Sequence, residues 1–274
     1  MGRSIGNQNL KQYIVRKAKQ LGAEIVGFAP VSRWEEYNET KPSFFPQNIL
    51  PNTKTVIVLG VPILIPMLDT TPSIVYSELY NTTNRLLDDI AYKITVAINA
   101  KGYQSIFFPR DGYGDISVLV PKPEAAFSHV FAAKYAGLGT IGYNHTLLTK
   151  EFGPRVRLVS ILTEAEIAPD QIIKRELCIK CELCGKCCPT SAFTTTENLI
   201  ADMDKTKCAV YHEQLKKELH YPCGVCIKVC PIGDDRKLFG NNTRKYLNEK
   251  KVLSRDPSNA EYSGWEHCRS FGSK

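Results

Sequence analysis

The stretch CIKCELCGKCCP, residues 178–189, contains four cysteines in the spacing C-x2-C-x2-C-x3-C-P. Bacterial ferredoxins hold [4Fe–4S] clusters with this spacing: one tight loop supplies three corners of a cluster, and the cysteine before proline binds the other cluster. A second stretch, CGVCIKVCP at residues 223–231, repeats the ending but lacks one upstream cysteine. Cys208 stands alone between the two stretches and can supply it. The spacing therefore predicts two [4Fe–4S] clusters with interleaved ligands.

The eight ligands divide into two groups, called here the first set and the second set. The first set is Cys178, Cys181, Cys184 and Cys230, and the second set is Cys188, Cys208, Cys223 and Cys226. Two Zn(Cys)4 sites are the alternative, since zinc also binds paired C-x2-C motifs. Three cysteines spaced by two exceed what a zinc knuckle needs, and both runs end in Cys-Pro, which favours iron–sulfur clusters. Cys187 competes with Cys188, but the x3 spacing and Pro189 favour Cys188, so Cys187 and Cys268 are predicted to be plain thiols.

The composition is that of a globular protein, with 43% hydrophobic and 23% charged residues. The net charge of +7 is spread along the chain without a dense Lys/Arg run, which argues against a nucleic-acid partner. Residues 1–13 lack the apolar core of a secretory signal, and the longest apolar run, 56–68, is too short to span a bilayer. We therefore expect a cytoplasmic protein with no membrane partner, in which ten cysteines indicate metal or redox chemistry.

Residues 1–168 alternate between helical and strand-like patterns, which predicts an α/β or α+β sandwich domain. Helices are expected at 9–21, 83–100 and 124–136, and strands at 23–29, 55–59, 104–108, 116–120 and 155–163. Residues 169–240 form the predicted cluster domain, and residues 241–274 a polar, weakly patterned C-terminal tail. Two linked clusters transfer single electrons, so we expect an external donor such as a ferredoxin or flavodoxin. A free-standing ferredoxin needs no preceding domain, which indicates a second cofactor or a substrate site there.

The sequence AGLGTIGYN at 136–144 and EFGPRVRL at 151–158, followed by the two cysteine runs, resembles the epoxyqueuosine reductases and the reductive dehalogenases. Both are cobalamin-dependent iron–sulfur reductases. The resemblance covers roughly residues 9–240 in layout and is sharp from about 129 to 235. It implies a nitroreductase-like α/β sandwich domain followed by a ferredoxin-like double [4Fe–4S] domain with interleaved ligands. It also implies a base-off corrinoid near the clusters, which reduce its cobalt.

The chain departs from the epoxyqueuosine reductases where those enzymes carry an Asp-Thr-Ala-Pro-like segment, whose Asp is the expected proton donor. The matching stretch here is VPKPEA at 120–125, with Pro123 in the place of that Asp. The helical repeats that bind tRNA in that family are missing, as is the export signal typical of respiratory dehalogenases. The resemblance therefore predicts a shared scaffold with a different, small-molecule substrate.

Each candidate site residue in the first domain has both a functional and a purely structural interpretation. His129 shares a helix face with small residues and is the candidate proton donor, although ordinary helix packing with a hydrogen-bonded histidine is the favoured explanation. The glycines at 137, 139 and 142 indicate a cofactor-lining loop or a helix end followed by a tight turn. Corrinoid contacts are predicted for Gly137, Gly139, Gly142, Asn144 and Arg155, with surface ion pairs as the alternative for Arg155 and Arg157. Tyr76, Tyr80 and Tyr113 are further candidate proton donors, with aromatic packing as their default role.

Three functions fit these features. The first is a corrinoid-dependent reductase of a small electrophilic substrate. The second is an electron-transfer or activator protein that delivers electrons to a partner, for example a corrinoid protein, and has no substrate of its own. The third is a non-catalytic iron–sulfur module, or a regulator that senses oxygen through loss of its clusters. Such a regulator is expected to bind DNA, and the diffuse charge of the chain argues against DNA binding.

Overall fold

A computed structural model describes residues 7–240 and 242–272 of the chain. The expected lack of a leader concerns residues 1–6, which lie outside this range. Up to residue 163 the α-helices and strands are, in chain order, α1 Asn7–Gln20, β1 Ile25–Pro30, α2 Arg33–Tyr37, β2 Thr55–Pro62, α3 Ile65–Leu68, α4 Ile74–Asn99, β3 Ser105–Phe108, α5 His129–Tyr135, β4 Thr140–Ile141, β5 Leu147–Leu148 and β6 Val156–Thr163. Helices and strands are therefore mixed along the first 163 residues, as the sequence predicts.

Four strands form one antiparallel sheet in the order β1-β2-β6-β3. Side chains alternate between its two faces because the side-chain period of a strand is two. Ile57, Leu59, Val159 and Ile161 face α1 and α4 on one side. The intervening residues of β2 and β6 face α5 and Trp34 on the other side. The sheet is therefore buried on both faces, which places one layer of helices on each side.

Three predicted elements differ from the structure. Residues 116–119 are a short 3-10 helix rather than a strand, because the Asp115 carboxylate accepts a hydrogen bond from the Ser117 amide and turns the chain. Helix α4 begins at Ile74, nine residues early, where Ser73 caps it and Tyr76 and Leu79 extend its buried face. Helix α5 begins only at His129, where the Ser128 hydroxyl accepts a bond from the Phe131 amide.

The cysteine segment contains only short elements apart from one longer helix. They are α6 Leu183–Lys186, β7 Phe193–Thr194, β8 Asp202–Met203, α7 Lys205–Lys217 and α8 Val225–Lys228. The predicted tail contains two helices, α9 Lys245–Leu253 and α10 Ser263–Ser270. Their aromatic residues Tyr246 and Trp265 stack on each other with ring centroids 5.9 Å apart. Among the described residues, no helix has the length and apolar character needed to cross a bilayer.

Candidate functional site

The four cysteines of the first set surround one small cavity, which Tyr143 and Ile179 also line. The Tyr143 amide donates to the Cys178 sulfur at 3.5 Å. Burial, together with the thiols of Cys230, Cys181 and Cys178, raises the pKa of Cys184 to about 12. The four thiols therefore lie close together in space, although Cys230 is more than forty residues from the other three in the sequence.

The four cysteines of the second set line a different and much larger cavity of about 540 Å³. Burial raises the pKa of Cys226 well above its usual value, and the thiols of Cys223, Cys208 and Cys188 contribute to the rise. Cys184 of the first set contributes as well, so the two sets are neighbours. Each predicted set therefore lines a cavity of its own.

Cys187 lies apart from both sets. It lines neither of these cavities. The charges that act on its thiol are those of Lys228 and Glu249, and burial raises its pKa.

Within residues 7–240 and 242–272, no three His, Cys, Asp or Glu side chains lie close enough to hold a single metal ion. A four-iron cluster binds each cysteine to a different iron, so its ligands surround a space, as both sets do.

Both cysteine runs have the same local backbone. A residue in the left-handed conformation precedes a single helical turn in each: Glu182 (φ 61°) before α6, and Gly224 (φ 65°) before α8. At Gly224 a side chain is also excluded by space, since an added Cβ would lie 2.6 Å from the Tyr76 ring. The two turns contact each other, so the pseudo-repeat read from the sequence is a structural pair.

A polar network forms another part of the wall of the large cavity. The Asp111 carboxylate accepts a hydrogen bond from Tyr80 at 2.8 Å and from the Arg157 guanidinium at 2.9 Å. The hydroxyls of Tyr113 and Tyr221 lie 2.8 Å apart, and Tyr113 reaches Asp111 at 3.4 Å. The Arg157 guanidinium also lies 4.3 Å from the centre of the Tyr80 ring. Phenol groups, a carboxylate and a cation are therefore connected up to Tyr221, two residues before Cys223.

Tyr113 and Tyr221 of this network keep their protons at neutral pH. Burial raises the pKa of both Tyr113 and Tyr221 far above the usual value, and neighbouring phenol groups add to the rise. Burial likewise raises the pKa of Tyr76, which lines the same cavity. A neutral phenol can donate a hydrogen bond or a proton to a ligand in the cavity.

His129 lines the cavity but has both ring nitrogens bonded inside the protein. Its Nε2 lies 2.8 Å from the Pro109 carbonyl oxygen and its Nδ1 lies 2.8 Å from the Ser160 hydroxyl. Because a carbonyl only accepts, Nε2 carries the proton and Nδ1 accepts from Ser160. Burial lowers the pKa of His129 to about 4. The imidazole is therefore neutral at pH 7, a poor state for the donor role that the sequence suggests.

The three glycines allow close backbone contacts instead of lining the large cavity. An added Cβ would lie 2.1 Å from the Gln171 carbonyl oxygen at Gly137, and 2.0 Å from that of Leu148 at Gly139. At Gly142 it would meet the Leu148 side chain at 2.9 Å. Asn144 does line the cavity, and its Nδ2 donates to the Cys226 carbonyl at 3.2 Å. Of the predicted corrinoid contacts in this loop, Asn144 is the one that lines the cavity, together with the following His145 and Thr146.

Arg155 has a different place from the one predicted. Its side chain is fully buried and pairs with the Asp235 carboxylate through two bonds of 2.7 Å. It also donates to the carbonyls of Cys230 and Ile232, at 3.0 and 2.5 Å. All its nitrogens are thus committed to the loop that follows the second cysteine run, and it is absent from the cavity wall. Arg157, two residues further along the chain and within β6, lines the cavity instead.

Sequence reasoning missed Asp111, Tyr221 and His212 in this wall. The His212 Nε2 accepts a bond from the Cys223 amide at 3.4 Å, and its ring lies edge-on to Tyr221. Tyr221 and His212 flank cysteines of the second set in the sequence, which is the signal that could have found them. Asp111 gives no such signal, because its partners Tyr80, Asn84 and Arg157 lie 27 to 46 residues away in the chain.

Known proteins resemble the chain in sequence and in fold. No protein-family model matches it. It is 28% identical over 227 residues to a tetrachloroethene reductive dehalogenase of Desulfitobacterium hafniense, covering 76% of this chain and 36% of that protein. It is 24% identical over 253 residues to an epoxyqueuosine reductase of Bacillus cereus, covering 82% and 64%. The chain thus spans about a third of the first relative and under two thirds of the second, and both relatives are reductases.

Solved structures give the same pair of names. A reductive dehalogenase, described with a mechanism for B12-dependent dehalogenation, superposes with a TM-score of 0.64 at 17% identity, over 94% of this chain and 37% of that one. The epoxyqueuosine reductase of Streptococcus thermophilus superposes with a TM-score of 0.57 at 22% identity, over 82% and 66%. The resemblance to these two families, read first from the motifs, is confirmed, and the mixed helix and strand fold is theirs.

Proposed function

We propose that the chain is an iron–sulfur reductase. Two [4Fe–4S] clusters pass electrons to a corrinoid in the large cavity, where a small electrophilic substrate is reduced. The observation that carries this proposal is the cavity wall, which combines the second set of cysteines with the Tyr80–Asp111–Tyr113–Tyr221–Arg157 network. A substrate bound in this cavity can therefore receive electrons from the cluster side of the wall and a proton from the tyrosine network. The names of the relatives support it, since one solved structure is described as B12-dependent.

The residues present fit the proposed groups. Each cysteine set offers four thiols around a space, which is the donor set of a [4Fe–4S] cluster. A cavity of about 540 Å³ is within the size range of sites for bound organic cofactors and ligands. Asn144, His145 and Thr146 line it from the loop between β4 and β5 and can hold the amide groups at a corrinoid rim. When bound, the corrinoid supplies a strongly reducing cobalt centre.

The polar network supplies the proton for this reduction. Asp111 and Arg157 fix the tyrosine hydroxyls, and the high pKa of Tyr113 and Tyr221 keeps them protonated. Tyr221 precedes Cys223 of the second set by two residues in the chain, so its hydroxyl is the proposed proton donor, with Tyr113 restoring its proton. Replacing either tyrosine by Phe should lower turnover by about 10²-fold or more.

The route of the electrons follows from the two cavities. The second set lines the large cavity and the first set does not, so the first cluster accepts electrons from the external donor. A ferredoxin or flavodoxin in the cytoplasm is the proposed donor.

In this proposal residues 1–168 form a nitroreductase-like domain, residues 169–240 a ferredoxin-like double-cluster domain, and residues 241–274 the C-terminal segment. Pro123, in place of the aspartate, makes the substrate a small molecule rather than a tRNA.

Anaerobic purification followed by titration with cobalamin tests the proposal. We expect about eight iron atoms and eight sulfides per chain, and stoichiometric corrinoid binding with loss of the lower axial base in the visible and EPR spectra. The variant Thr146→Trp should fill the cavity and abolish corrinoid binding at unchanged iron content. Thr82→Trp, on the exposed face of α4, is the matched control and should bind normally.

Other outcomes separate the alternatives. Full iron content without corrinoid binding, but with rapid electron transfer to a corrinoid protein, would make the chain an electron-transfer or activator protein. Zinc in place of iron would overturn the cluster assignment. Binding that Thr146→Trp leaves intact would move the corrinoid to another surface.

A further inference from the structure

Lys228 is a buried cation in the middle of the second cysteine run. It lies two residues after Cys226 and two before Cys230, in the single turn α8, and it is 3% exposed. A lysine is rarely buried unless it is paired. No part of the proposed function uses it, so its environment calls for its own account.

The environment of the Lys228 ammonium is that of a retained positive charge. Its Nζ donates to the Asp69 carbonyl at 2.7 Å and lies 3.3 Å from a Glu249 carboxylate oxygen. It also lies 4.5 Å from the centre of the Trp265 ring and 5.2 Å from that of Tyr246. Carboxylates and aromatic faces both stabilise a cation. All these partners except Asp69 come from α9 and α10, so the C-terminal segment holds the charge in place.

The group around Lys228 carries more positive than negative charge. The Glu249 carboxylate is shared with Arg269, and the Asp69 carboxylate lies 3.4 Å from Lys245. Arg236, 2% exposed, donates to the Cys230 carbonyl at 3.2 Å and also to the Lys228 carbonyl. Four cations thus face two buried carboxylates, with Glu266 mostly exposed at the rim. The excess positive charge lies beside the segment that carries ligands of both clusters.

We propose that Lys228, held by α9 and α10, raises the reduction potential of the cluster bound by the second set and so favours electron arrival at the cavity. The inference rests on the proposed clusters. A cluster that gains one electron becomes more negative, and a fixed cation at short range in a buried site stabilises that reduced form. The second cluster feels it most, because the Lys228 charge acts on the Cys223 thiol of the second set, whereas Arg155 is the cation that acts on Cys230 of the first set.

A redox titration of the anaerobic holoprotein, followed by EPR, tests this role. Lys228→Met should favour the oxidised form of the second cluster by at least tenfold, a fall of about 59 mV for a one-electron couple. Lys228→Arg, which keeps the charge, should restore most of the potential. Iron and sulfide content measured in parallel separates the two proposals: a protein without clusters overturns the function, whereas intact clusters at an unchanged potential overturn only the role of Lys228.

A second variant covers the case in which Lys228→Met fails to assemble clusters. Burial lowers the pKa of Lys228 to about 8 and Glu249 opposes that fall, so this titration is made near pH 6, where the ammonium keeps its proton. Glu249→Gln then removes the carboxylate and leaves the charged lysine, so the local charge becomes more positive and the potential should rise. An unchanged or lower potential in Glu249→Gln, at full cluster content, would overturn the proposal. Glu266→Gln is the matched control, since Glu266 is mostly exposed and should leave the potential unchanged.

Discussion

The sheet and the cysteine segment are stabilised by different means. In the sheet, Ile57, Leu59 and Val159 are fully buried, and three strands pair over six to eight residues. Between residues 178 and 232 the elements other than α7 are two to four residues long, and most cysteines are half-buried. Apolar burial therefore accounts for the first region, whereas the second depends on what its cysteines bind, since ligand binding to such a site is also folding free energy.

Removing one ligand should separate the two regions most strongly. We expect Cys208→Ser to lose the second cluster, which halves the iron and sulfide content and opens residues 178–232 to proteolysis. The sheet, with its own core, should keep its far-UV circular dichroism. Cys187→Ser is the matched control and should keep both clusters, because Cys187 lines neither cavity. If Cys187→Ser loses iron and Cys208→Ser does not, the interleaved ligand assignment is wrong.

The second-largest expected effect is a loss of stability when the Arg155 contacts that join the sheet to the cysteine segment are removed. Arg155 lies at the start of β6 and its guanidinium binds Asp235, Cys230 and Ile232, which belong to the cysteine segment and the loop after it. Arg155→Met removes a fully buried cation and leaves the partly buried Asp235 carboxylate without its partner, so we expect a loss of about 3 kcal/mol in urea unfolding of the anaerobic protein. Lys93→Met removes an exposed pair with Asp89 on α4 and should cost under about 0.5 kcal/mol. Equal losses in both variants would mean that Arg155 does not join the regions.

The two regions also differ in how far the sequence predicts them. The cysteine sets follow from spacing alone, because three ligands of the first set lie within seven residues and a tight loop fixes their geometry. The polar network could not be predicted, since Tyr80, Asp111 and Tyr221 meet only after α4 and the segment before Cys223 pack together. Arg155 and Arg157 show this limit within one motif. Nothing in the sequence distinguishes the two arginines, and only the pairing of Arg155 with Asp235 shows that Arg155 has a structural role.

A core substitution should show the opposite pattern to a cysteine substitution. Ile161 is fully buried between β2 and α4, so Ile161→Ala should cost about 2–5 kcal/mol by removing apolar contacts and leaving a cavity. Iron content and corrinoid binding should not change at 10 °C, where the variant stays folded. Val96→Ala, half-exposed on α4, should cost under about 0.5 kcal/mol. Loss of clusters in Ile161→Ala at full circular dichroism would show that the regions do not fold independently.

The smallest effect is the acid sensitivity that His129 gives to the sheet region. Its pKa is lowered to about 4 by burial, whereas an unfolded histidine has a pKa near 6.5. Between these values the unfolded chain binds a proton that the folded chain does not, so the stabilisation is complete above pH 6.5 and is lost as the pH falls towards 4. His129→Gln should therefore reduce the fall in melting temperature between pH 7 and pH 5.5, with iron content checked at both.

The same variant separates packing from chemistry. If His129 only joins Ser160 and the Pro109 carbonyl, turnover at pH 7 should stay within a few fold of the parent, because the neutral imidazole gives no proton. Tyr221→Phe, which removes the proposed proton donor, should fall by about 10²-fold or more in the same assay. A collapse of turnover in His129→Gln, with Tyr221→Phe unaffected, would return the donor role to the histidine and remove it from the tyrosines.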